Sequence, residues 1–169
     1  MITFPSLPVT CFIAVYIGLL LRLSWIDLKQ RLLPDALNYA LLWSGLLFQV
    51  FFNAERLPSA VTGAAAGYLS LWILYWCYFF LRKCEGIGYG DMKLLAALGA
   101  WHGWQNLQWI VLIAAICGLA TAGIAKIWRV KFDYFTTPLP FGPCLAIAGG
   151  VTGWFNHYPL QFQQLNWLL

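Results

Sequence analysis

Two aspartates stand out in a chain that otherwise carries little charge. Asp91 follows three glycines in the stretch Gly86-Ile87-Gly88-Tyr89-Gly90-Asp91-Met92-Lys93, directly ahead of a long apolar run. Asp27 closes the first long apolar run of the chain. Charge at such positions is costly and usually has a task. The glycines let the backbone turn tightly and approach a partner closely. A pair of carboxylates brought together supports peptide hydrolysis, in which a base activates water while an acid assists the carbonyl or the leaving amine. Two adjacent carboxyls cannot comfortably both ionise, so they share a proton and titrate as a pair. Plainer roles compete with this one. Asp91 suits the N-cap of the helix after it, and Asp27 could be a solvated loop residue paired with Lys29 or Arg31. A third aspartate, Asp35, follows Leu33-Pro34 and reads as the structural N-cap of the next helix.

Composition defines what must position these residues. Of the 169 residues, 62% are hydrophobic and only 9% charged, against about a quarter charged in soluble domains. The chain is therefore expected to be an all-α, polytopic membrane protein, with one membrane-embedded domain over residues 1–169 and no room for a sizeable extramembrane part. No basic tract points to nucleic acid.

Apolar runs divide the chain into about six spans, at residues 8–26, 36–52, 58–81, 92–100, 108–128 and 141–155. Pro34 disfavours helix at Leu33 and separates the first two. Residues 53–57 form a short turn. In the third span, Gly63-Ala64-Ala65-Ala66-Gly67 makes a small-residue face suited to close helix packing. Trp72, Tyr75, Trp76 and Tyr78 in its second half read as packing or interfacial anchors, and His102, in Trp101-His102-Gly103-Trp104, as interfacial. Residues 156–169 read as an uncharged tail along the interface. Arg22, Lys29 and Arg31 fall in the first connection, Arg82, Lys83 and Lys93 in the third, and Lys126, Arg129 and Lys131 in the fifth. The second connection holds only Arg56 and the fourth none, so nine of the ten basic residues place the odd connections in the cytoplasm and both termini in the periplasm. Asp27 and Asp91 then lie at cytoplasmic helix ends, at a similar depth, where they could meet.

The segment Asp27-Leu28-Lys29-Gln30-Arg31-Leu32-Leu33-Pro34-Asp35 resembles the first aspartate motif of the type IV prepilin peptidases. Gly88-Tyr89-Gly90-Asp91-Met92-Lys93-Leu94 is similar to their GxGD-x-K-L motif, and Pro140-Phe141-Gly142-Pro143 to the proline-glycine element before their last helix. Three motifs in the family's order cover roughly residues 22–150. The resemblance implies an aspartic endopeptidase of the bacterial inner membrane, which removes the short basic leader from type IV prepilin or pseudopilin precursors at the cytoplasmic face. Carried over by motif, Asp27 and Asp91 would be the catalytic pair. Gly88, Gly90 and Lys93 would belong to the active-site loop, with no role assigned to Lys93. Pro34, Asp35, Pro140, Gly142 and Pro143 would be structural motif members. The implied partners are the precursor and membrane lipid.

Many members of that family carry an additional N-terminal helix and a cytoplasmic domain with paired CxxC motifs, and also methylate the trimmed pilin. Here Cys11, Cys77, Cys84, Cys117 and Cys144 are scattered with no CxxC pair. Neither a structural metal site nor a cofactor nor methyl transfer is therefore expected. Two other readings stay open: a proton-coupled transporter, since membrane carboxylates mark ion pathways, and an inactive relative acting in pilus or secretion assembly.

Overall fold

A computed structural model describes residues 7–83, 88–127 and 141–157. Among these, six α-helices form the fold and no strand occurs: α1 (Leu7–Gln30), α2 (Asp35–Phe52), α3 (Leu57–Arg82), α4 (Tyr89–His102), α5 (Trp104–Ile127) and α6 (Gly142–His157). A single 3₁₀ turn, Ala54–Arg56, leads into α3 and replaces the plain turn expected there. Three segments are long and apolar enough to cross a membrane: Leu7–Gln30, Ala54–Leu81 and Trp104–Ile124. The other three helices, α2, α4 and α6, have 18, 14 and 16 residues. Large apolar side chains such as Leu21, Trp25, Trp43, Phe51, Phe80 and Leu119 face outward, an arrangement suited to a hydrocarbon solvent.

The shortest helix is the central one. Every residue of α4 from Leu94 to Trp101 is buried, together with Met92. Its composition explains how: Ala96, Ala97, Gly99 and Ala100 offer little side-chain bulk, so neighbours can close around it. The closest approach is to α3 through the small-residue face foreseen in the sequence. A Cβ on Gly67 would lie 2.7 Å from the carbonyl oxygen of Leu95, and one on Gly99 would collide with the Gly63 carbonyl. The α4 helix ends where Gly103 takes φ 76°, a left-handed conformation that glycine adopts freely.

Helix α1 runs four residues beyond the expected end at Ile26 and includes Asp27 in its last turn. It closes when the Arg31 N–H donates to the Asp27 carbonyl at 2.8 Å, with Arg31 at φ 53°. Helix α4 begins at Tyr89, three residues earlier than expected, so Gly90 and Asp91 both lie in its first turn. Helix α6 takes in the first two residues of the expected tail, 156 and 157; residues 158–169, the Lys126–Lys131 connection's latter part, Gly86 and Pro140 lie outside the described residues.

Candidate functional site

One end of the bundle gathers the C-terminus of α1 and the N-termini of α4 and α6. Asp27 is only 5% exposed there. Its Oδ2 accepts a hydrogen bond from the backbone N–H of Gly142 at 3.0 Å. The first N–H groups of any helix lack an intrahelical acceptor, and α6 offers one of these to the carboxylate, at the end of the helix where the dipole favours an anion. Gly142 must be small for this contact. A Cβ there would stand 2.8 Å from Asp27 Oδ2 and 3.1 Å from its Cγ. Pro143 follows in the first turn of α6, where a missing N–H costs nothing.

Asp91 occupies the first turn of α4 and lies within electrostatic reach of Asp27. Gly88 is the N-cap of that helix, and its carbonyl accepts the Asp91 N–H at 3.1 Å. The Asp91 side chain is therefore not the N-cap; its carboxylate reaches back to the Gly88 backbone N–H. The glycines beside it act by being small. A Cβ on Gly88 would lie 3.3 Å from Asp91 Oδ2, and one on Gly90 would lie 2.7 Å from the Leu33 Cβ. Gly90 thus lets the first turn of α4 sit directly on the Leu33-Pro34 elbow between α1 and α2, which brings Asp91 towards the end of α1.

Asp35 departs from its expected role. It is the first residue of α2, the N-cap is Pro34, and no side-chain cap bond forms. Its Oδ1 instead accepts a hydrogen bond from Lys93 Nζ at 2.6 Å, in an ion pair whose side chains are 55% and 26% exposed. A partner distant in sequence replaces the local cap, and Lys93 acquires a role that its motif position did not give it. His102 lies apart from these carboxylates. It is half-buried, and Tyr16 Oη lies 2.9 Å from its Nε2. The structure thus brings Asp27, Asp91, Gly88, Gly90 and Gly142 to one place, pairs Asp35 with Lys93 beside it, and keeps His102 at the far end of α4. The Gly142 N–H on Asp27 was not foreseen. The Phe141-Gly142-Pro143 run was visible, but its carboxylate partner is 115 residues away. Among the described residues, no group of three or more His, Cys, Asp or Glu is placed to hold a metal ion.

This is a helical bundle with a candidate hydrolytic site at one end. The model of the type IV leader peptidase family matches residues 13–123. The chain is 51% identical over 137 residues to the prepilin leader peptidase/N-methyltransferase of Burkholderia pseudomallei (strain 1026b), covering 81% of this chain and 44% of that protein. It is 51% identical over 140 residues to that of Pectobacterium carotovorum subsp. carotovorum, covering 82% and 49%. It is also 44% identical over 156 residues to the leader peptidase HopD of Salmonella typhimurium (strain LT2), covering 92% of this chain and 98% of that protein. The chain thus spans about half the length of the two longer relatives. No solved structure matches. The chain belongs to the type IV leader peptidase family.

Proposed function

We propose that the protein cleaves the short basic leader from type IV prepilin or pseudopilin precursors by a two-aspartate, acid/base mechanism. The observation that carries the reading is the convergence of Asp27 and Asp91 from α1 and α4, with Gly142 anchoring one carboxylate. In this mechanism one carboxylate of the pair takes a proton from the attacking water. The other, protonated, donates to the carbonyl oxygen; as the tetrahedral diol collapses, the first carboxyl passes its acquired proton to the leaving nitrogen and the second recovers one from the diol. Holding both groups on helices limits the reorganisation needed in the transition state. The Gly142 N–H fixes the Asp27 rotamer, so the two carboxylates present a constant geometry to the scissile bond.

The protein sits in the bacterial inner membrane as a multi-pass bundle with both termini periplasmic, an orientation supported by nine of its ten basic residues. The cleavage site then lies at the cytoplasmic face, where a basic leader is held by the same positive-inside rule. Incubating the purified protein in lipid with candidate precursors, and reading products by mass, tests the reading. Release of an intact leader and a trimmed precursor is expected. A folded protein that leaves every precursor tried uncut contradicts it.

A further inference from the structure

On the face of α4 turned towards α2 lies a cavity of about 270 Å³, lined by Asn38, Tyr39, Leu42, Tyr68, Lys93 and Ala96. Asn38 is 1% exposed. Neither its Oδ1 nor its Nδ2 meets a hydrogen-bond partner among the described residues. A buried amide unpaired at both ends is uncommon in folded proteins, because the lost hydration is not replaced. Asn38 is one of the cavity's lining residues, and Tyr39 and Lys93 at the rim are both accessible.

The lining selects the chemistry of the occupant. The Lys93 ammonium is already matched by Asp35 at 2.6 Å, so the rim carries no net charge and favours a neutral group over an anion. Asn38 offers one acceptor and two donors on a single amide, the complement of a peptide group that presents both C=O and N–H. Tyr39 and Tyr68 add hydroxyls that can donate or accept, and Leu42 and Ala96 supply apolar wall. The volume falls just below the roughly 300 Å³ at which small-molecule sites begin, which fits a residue or two of an extended chain better than a cofactor. Lys93 follows Asp91 by two positions on α4, so the cavity begins about 3 Å further along the helix axis than Asp91 and on another of its faces.

We propose that this cavity is a substrate subsite in which Asn38, assisted by Tyr68, hydrogen-bonds a peptide group of the precursor near the scissile bond. The proposal rests on the leader-peptidase reading and adds to it a positioning residue outside the three motifs. A subsite that binds ground state and transition state alike changes KM and leaves kcat in place.

The test is steady-state cleavage of a precursor by wild type, Asn38→Leu and Tyr68→Phe, each reconstituted in vesicles of two headgroup compositions, with thermal stability measured in parallel. Asn38→Leu is expected to raise KM about tenfold, as loss of one or two buried hydrogen bonds would. Its kcat is expected to stay within about twofold, since uniform binding alone is lost. Tyr68→Phe, which removes only a hydroxyl, moves KM in the same direction by about threefold and decides the matter if Asn38→Leu does not fold. Unchanged KM in the folded variants, with or without a rise in melting temperature, overturns the subsite and leaves a hydrated internal cavity. A KM effect that follows the headgroup rather than the variant overturns it in favour of lipid. Wild type that cuts no precursor strikes the leader-peptidase reading itself, whereas cleavage with unchanged KM strikes only the subsite.

Discussion

The two ends of α4 are both rich in polar groups, yet they are built in opposite ways. At its C-terminal end, side-chain N–H groups are tied to fixed backbone acceptors. Trp101 Nε1 donates to the Leu41 carbonyl at 2.9 Å, Gln49 Nε2 to the Trp101 carbonyl at 2.9 Å, and Asn106 Nδ2 to the His102 carbonyl at 2.7 Å. The Trp101 ring stacks on Phe48, with Tyr16 4.6 Å away between ring centroids. These groups are neutral and their partners are backbone carbonyls of neighbouring helices, so the end acts as a clasp. At the N-terminal end, about 20 Å away along the helix, the polar groups are carboxylates. Asp27 is held by a single backbone N–H, and Asp91 is not the cap of its helix. A clasped end can hold the short helix in place while the other end keeps groups available for chemistry, the usual division between scaffold and site.

Substitutions at the two ends should therefore separate activity from stability. The largest loss of activity is expected at the N-terminal end. Asp27→Asn or Asp91→Asn should each lower the rate of leader cleavage by about 10² to 10⁴-fold, with melting temperature little changed, as rate and thermal scans would reveal. Gly142→Ala should come next. A methyl group 2.8 Å from Asp27 Oδ2 must displace the carboxylate, and a shift of about 1 Å in a reacting group costs about 10²-fold in kcat. Equal activity for Gly142→Ala would show that the Gly142 contact does not position the carboxylate. At the clasped end the expected pattern reverses. Trp101→Phe removes a buried hydrogen bond and part of a ring and should lower stability by about 2 kcal/mol, while kcat stays near wild type in the protein that remains folded. The smallest effect belongs to Asp35→Asn. Its ion pair with Lys93 is more than half exposed on the aspartate side, so about 1 kcal/mol or less is at stake, and cleavage should persist in a side-by-side assay.

Much of this architecture is written in apolar runs and their interruptions. Pro34 and Gly103 mark the breaks before α2 and after α4, and Gly63 and Gly67 announce the face on which α4 packs. What the local pattern misses are ends and partners. Helix α1 continues through Leu28, Lys29 and Gln30 because all three are good helix formers, and because Asp27 finds its partner on α6 rather than in a loop. Asp35 has the identity and position of an N-cap, but a lysine 58 residues away takes its carboxylate; tertiary pairing outweighs a local preference worth about 1 kcal/mol. Asn38 lies in an apolar run and looks like any polar interruption until its burial and missing partners are seen. Polar residues inside an apolar span are themselves a signal, and that signal was available at Asn38. The candidate pair was legible for another reason. Glycines before one aspartate and an apolar run before the other are features of the chain itself, whereas the Gly142 contact exists only once α1 and α6 meet.

The central claim is that Asp27 and Asp91 work as one unit, and a double-mutant comparison addresses it most directly. Leader cleavage would be measured for wild type, Asp27→Asn, Asp91→Asn and the double variant, all shown to be folded. Groups that act together are strongly non-additive, so the account predicts that each single variant loses about as much as the double. Independent losses that multiply in the double variant, or a single variant that cuts as fast as wild type, would contradict it.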